Sequence, residues 1–135
     1  MKNKILAIIL AGIWVTVSEF LRNELLFKSH WVNHFKSLGL KFETLPINGT
    51  LWMIWSFTLA YLILRIMKKY SLVQSLILVW LAAFVMMWIT IYNLQVLPLK
   101  LLLFAIPLTM LEVAVAGMII KKLTNIDEPT GGFKV

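Results

Sequence analysis

The chain contains no cysteine, which removes disulfide frameworks, thiolate metal centres, iron–sulfur clusters and cysteine nucleophiles together. Charge is scarce as well. Only 14% of its 135 residues are charged, and 6 acidic residues face 13 Lys and Arg. Glycine and proline number 6 and 4, too few for a collagen-like rod or a Pro/Gly-rich disordered chain. What is abundant is apolar surface. Hydrophobic residues make up 61% of the chain, where an ordinary soluble domain has roughly 45–50%. A small fold leaves much of its surface exposed, so this excess cannot be hidden inside one globule. The solvent around it is lipid. The formal net charge of +7 does not indicate nucleic-acid binding, because there is no soluble face on which basic residues could gather.

A hydrocarbon layer of about 30 Å is crossed by roughly 20 helical residues. Four stretches qualify: residues 5–21, with helical continuation to 27, and residues 47–67, 72–94 and 99–120. They are too continuously apolar for barrel strands, which alternate. The expected fold is an all-α, integral membrane four-helix transmembrane bundle, a single domain over residues 1–126 with a flexible cytoplasmic tail at 127–135. Lys2 and Lys4 ahead of an apolar run resemble a secretory signal, and the segment reads as a signal-anchor helix. Lys2, Lys4, Arg65, Lys68, Lys69, Lys121, Lys122 and Lys134 fall on one side of the spans. Arg22, Lys28, Lys36, Lys41 and Lys100 fall on the other. The larger group marks the inside, which puts both termini in the cytoplasm of a bacterial inner-membrane protein. Between the first two spans, Leu25, Leu26, Trp31, Phe35 and Leu38 recur at near-helical spacing. They predict an outer amphipathic segment in the headgroup layer, stopped at Gly39.

Two short stretches carry a family likeness. The run Asn23-Glu24-Leu25-Leu26-Phe27-Lys28-Ser29-His30-Trp31 closes the first span. Tyr92-Asn93-Leu94 followed by Leu97-Pro98-Leu99-Lys100-Leu101 joins the third to the fourth. Together they resemble the bacterial membrane family catalogued as domain of unknown function 1761. The resemblance implies a four-helix membrane fold and brings no activity with it. Pro107 and Glu112 depart from it, since the family's fourth span is expected to be Gly-rich and neutral.

Two carboxyl groups stand inside spans, where a charge costs about 2.5–3.5 kcal/mol even on the lenient insertion scale. Glu19 follows Gly12 and Thr16 and precedes Asn23 on one stripe of the first span; Glu112 lies on the stripe Ala105, Thr109, Glu112, Ala116 of the fourth. Small and polar residues on one stripe are what packed membrane helices present to each other. Glu19 is expected to pair with Arg22 one turn on. Glu112, with no cation near it on its own span, is expected as a neutral acid bonded across the bundle to Thr90, Asn93 or a carbonyl. If the span centres lie near Trp14 and Met110, the two glutamates differ in depth by roughly 10 Å, too far to share a proton. Pro107 leaves the Leu103 carbonyl without its helical partner and is expected to bend the fourth span. His30 and His34 share a helix face at zinc-binding spacing, yet only Glu24 or Glu43 could supply a third ligand, so no metal is expected. No G-x-S-x-G run and no mid-span lysine is present.

These residues point to a non-enzymatic membrane protein with no cofactor. The first expectation is a homo-oligomeric bundle holding a small apolar or lipid-like molecule beside Glu112, with Glu19, Arg22, Asn93 and Glu112 as candidate site residues. A proton-coupled exporter resembles the small multidrug resistance family in size, span number and one glutamate in span one, but the one-sided charge bias and long outer connection are foreign to that family. A purely structural bundle is the third expectation.

Overall fold

The computed structural model describes residues 2–126, and these are all helical apart from short connections. Helix α1 (Lys2–Phe20) runs into a wide π-helical segment, Leu21–Leu26, and a short helix α2 (Lys28–Ser37) follows. Helix α3 spans Pro46–Ile66. Helices α4 (Leu72–Trp80) and α5 (Met86–Asn93) are joined end to end by a second π segment, Leu81–Val85. A 3₁₀ turn at Leu99–Leu101 leads into α6 (Leu102–Thr124). Four helices are long and apolar enough to cross a membrane: Asn3–Leu26, Pro46–Ile66, Leu72–Asn93 and Leu99–Thr124.

Local chemistry fixes the ends. Pro46 occupies the first turn of α3, where its missing N–H is no loss. The Ser71 hydroxyl accepts from the Gln74 backbone N–H while the Gln74 side chain accepts from the Ser71 N–H, a capping box that starts α4. Gly39, at φ +71°, ends the turn after α2 in a left-handed conformation that favours glycine. The last helix runs to Thr124, beyond the expected stop at 120, so Lys121 and Lys122 sit in its final turn, where cations favour the helix C-terminus. It also continues through Pro107 without a break in assignment. The tail expected at 127–135 lies outside the described residues.

Helix α1 lies at the centre of the packing, with α3 on one side and α6 on the other, and α4 packs on α6. Ala7, Ala11, Val15, Ala60 and Ala116 are fully or almost fully buried. Such small residues let helix backbones approach closely, which is how helices associate where lipid supplies no hydrophobic drive. Gly12 shows how close. A Cβ there would stand 2.7 Å from Phe57 Cδ1, so the α1–α3 seam has no room for one more methyl group.

The segment carrying α2 packs on one end of this assembly through Phe27 and Trp31. Phe27, at the start of α2, is buried with Leu101 and Ala105, and Trp31 and Trp88 pack on that cluster. His34 Nε2 lies 3.2 Å from the Gln95 carbonyl. Gln95 is itself left-handed at φ 59°, an uncommon state for a residue with a Cβ. Of the amphipathic face predicted for this segment, Trp31 and Phe35 are half-buried, while Leu25, Leu26 and Leu38 are exposed.

Candidate functional site

The last turns of α1 and the π segment after it carry Ser18, Glu19, Arg22 and Asn23. In the π segment the Phe27 N–H reaches back five residues to the Arg22 carbonyl, at 2.9 Å. One residue is thereby inserted into the turn, a feature that recurs at functional sites. Arg22 is buried, only 6% exposed, and Glu19 and Glu112 are exposed by 3% and 1%.

The guanidinium joins both acids. Arg22 Nη2 donates to Glu19 Oε1, and Arg22 Nη1 donates to Glu112 Oε2 at 2.7 Å. Ser18 Oγ donates to the same Glu112 oxygen at 2.7 Å. On the other flank Asn23 Nδ2 donates to Glu19 Oε2 at 2.8 Å, and Trp31 Nε1 donates to Asn23 Oδ1 at 3.3 Å. The chain of hydrogen bonds thus runs from α2 into the seam between α1 and α6. Beneath it, the Arg22 Cζ sits 5.6 Å from the centroid of the Phe84 ring, close enough for a cation–π contact. Phe84 is fully buried and belongs to the second π segment. Two widened turns on different spans therefore meet at one guanidinium.

This geometry corrects three expectations. Glu112 is not without a cation: Arg22 from the first span lies in ion-pair contact, so the cation-free setting expected for this acid is withdrawn. The depth argument fails for the same reason, since both carboxyl groups touch one guanidinium and lie side by side. That argument counted helical rise and left out side-chain reach: the long Arg22 side chain spans the difference and joins both acids. Trp14 Nε1 also ties the two helices, donating to the Glu112 carbonyl at 3.0 Å. The third correction concerns Thr90 and Asn93. Thr90 is exposed and bonds the Met86 carbonyl of its own helix, and Asn93 is exposed at the end of α5. Neither joins the site.

The Ala105–Ala116 stripe, along which a ligand pocket is expected, is packed against other helices of the chain. Trp80 Nε1 donates to Thr109 Oγ1 at 2.9 Å, and Thr109, Glu112 and Ala116 are all buried. As for a metal, no three His, Asp or Glu side chains gather among the described residues.

Charge is what the cluster leaves unbalanced. Two carboxylates and one guanidinium, all ionised, carry one negative charge in excess, and Glu112 Oε1 is the one buried side-chain polar atom without a partner among the described residues. An uncompensated charge out of water is expensive. One proton on the carboxyl pair cancels that excess.

Sequence reasoning named Glu19, Arg22 and Glu112 and missed Ser18, Trp14 and Phe84. Ser18, Glu19, Arg22 and Asn23 recur at one, four and five residues, a helix-face spacing that contains the signal for Ser18. Phe84 had none, being one apolar residue in a span apolar on every side. Compared with known proteins, the chain matches no family model, no curated protein and no solved structure, and its likeness to the family of unknown function 1761 stays a resemblance.

Proposed function

We propose that this is a non-enzymatic, multi-pass protein of a bacterial inner membrane that exchanges a proton for a small monovalent organic cation at the Glu19–Arg22–Glu112 cluster. The observation that carries this reading is the excess negative charge at a site with a buried, unpartnered oxygen. In the resting state a proton on the carboxyl pair makes the cluster neutral. When the proton leaves, the same charge is balanced by the cation. Arg22 stays charged throughout, since a guanidinium does not release its proton in proteins. Its role is to hold the two carboxyl groups together so that one proton serves both.

The four long apolar helices support a transmembrane bundle, and the larger basic group at 2–4, 65–69 and 121–122 supports cytoplasmic termini. The packed stripe beside Glu112 offers no passage for anything larger than a proton within one chain. A homo-oligomer, opening along α1 and α6, supplies the route in this reading.

Uptake into liposomes containing the purified protein tests it. With an acidic interior, tetraethylammonium should accumulate above the level in protein-free vesicles, and E112Q and E19Q should each abolish the accumulation while K28Q leaves it intact. Uptake that E112Q leaves unchanged, or that never exceeds the protein-free level, would contradict exchange and leave the cluster as a structural lock between the first and last helices.

A further inference from the structure

The described residues hold a second feature far from the polar cluster. On the exposed edge of α3 beside the α1 seam, Met53, Ile54, Phe57, Thr58 and Tyr61 line an open recess of about 400 Å³, with Phe57 forming its seam-side wall. These residues follow the one-, four-, five- and eight-residue spacing of a helix face, so the recess runs along the helix for about 12 Å. Its walls are apolar. Of the two hydroxyls in its lining, on Thr58 and Tyr61, that of Thr58 is turned back to the Ile54 carbonyl at 2.8 Å.

Arg65 stands at the end of the recess. Its guanidinium lies 6.0 Å from the centroid of the Tyr61 ring, one turn back. The stacking keeps the charge at the recess mouth, where an arginine at a helix end would otherwise reach out towards water. Arg65 enters no ion pair among the described residues, where the pairs formed are Arg22 with Glu19 and Glu112 and Lys28 with Glu24. Exposed Lys68 and Lys69 follow within one turn. The carboxylates among the described residues, Glu19, Glu24, Glu43 and Glu112, lie at the α2 end or in mid-helix. An apolar trough ending in an arginine with five N–H donors suits an acyl chain ending in an oxyanion, and the further cations Lys68 and Lys69 at the same helix end favour the phosphate of a phospholipid headgroup.

We propose that the α3 recess binds one anionic phospholipid, with an acyl chain along Met53–Tyr61 and the headgroup phosphate on Arg65, supported by Lys68 and Lys69. This site is independent of the proton–cation exchange proposed above and would stand if that exchange were disproved. The phosphate accepts from the Arg65 fork, and the recess selects a chain over a free anion.

Native mass spectrometry of the intact protein, released from vesicles of equal parts phosphatidylglycerol and phosphatidylcholine, tests the proposal. One phosphatidylglycerol should be retained per chain in preference to phosphatidylcholine. R65Q should lower that retention roughly fivefold, in line with one basic group at a membrane surface. T58F, which fills the recess from an exposed position, should lower it at least as much, and K100Q at the opposite end should not change it. Millimolar inorganic phosphate should not displace the lipid. Equal retention of the two lipids, or retention that survives both R65Q and T58F, overturns the site; displacement by inorganic phosphate shows a free-anion site and overturns the lipid assignment.

Discussion

The first long apolar helix, Asn3–Leu26, is held in two different ways along its length. Its first half buries Ala7, Ala11 and Val15 completely, against apolar partners that include Ile63 and Ile120. Its second half buries Glu19 and Arg22 almost as deeply, with Ser18 and Asn23 bonded to the same network. The first half is held by shape alone, and any change in volume is felt at once. The second half is held by charge, and charge can change state without moving an atom by much. A membrane bundle needs only the first kind of contact to assemble. The presence of the second kind, at a widened turn and with one charge unmatched, is what marks the site.

The contrast can be broken most severely at Arg22. R22L leaves two buried carboxylates without their cation and should destabilise the bundle by ~3–5 kcal/mol, the range for removing one partner of a buried pair, seen as a collapse of the thermal melting midpoint in detergent. In the apolar half, G12L drives a side chain into the Phe57 ring and should cost about 1–3 kcal/mol by overpacking, on the same melting assay. Uptake through any folded G12L protein should be untouched. W14F removes the bond to the Glu112 carbonyl and should cost about 1 kcal/mol, detectable as a small drop in melting midpoint with unchanged secondary structure. K28Q breaks an exposed pair with Glu24 and should lie within ~0.5 kcal/mol of the native protein. A K28Q effect larger than that of W14F would reverse the order that burial dictates.

Much of the fold was legible because lipid imposes a simple rule. Runs of apolar residues near 20 long predicted the four long helices, and the observed ends at Pro46, Asn93 and Leu99 fall within one residue of expectation. The site was legible only in parts. Each acid announces itself against an apolar background, and Arg22 sits one turn from Glu19. The contact between Arg22 and Glu112 joins residues 90 apart in the chain, and nothing within either helix encodes which helix faces it or how far the side chains reach. The π segment compounds the problem, since one inserted residue shifts the face that every later residue presents. Asn93 was chosen for its polarity and lies exposed, because a polar residue at a span end is satisfied there without a partner inside.

The central claim is that the Glu19–Arg22–Glu112 cluster holds one exchangeable positive charge. Infrared difference spectroscopy on the protein in lipid tests this most directly, by following the protonated carboxyl stretch at neutral pH as tetraethylammonium is added. Exchange predicts one such band that disappears as the cation binds, that is absent in E112Q and E19Q, and that persists in K28Q. A spectrum with only carboxylate bands before the cation is added, or a protonated band indifferent to the cation and to both glutamine variants, would contradict it.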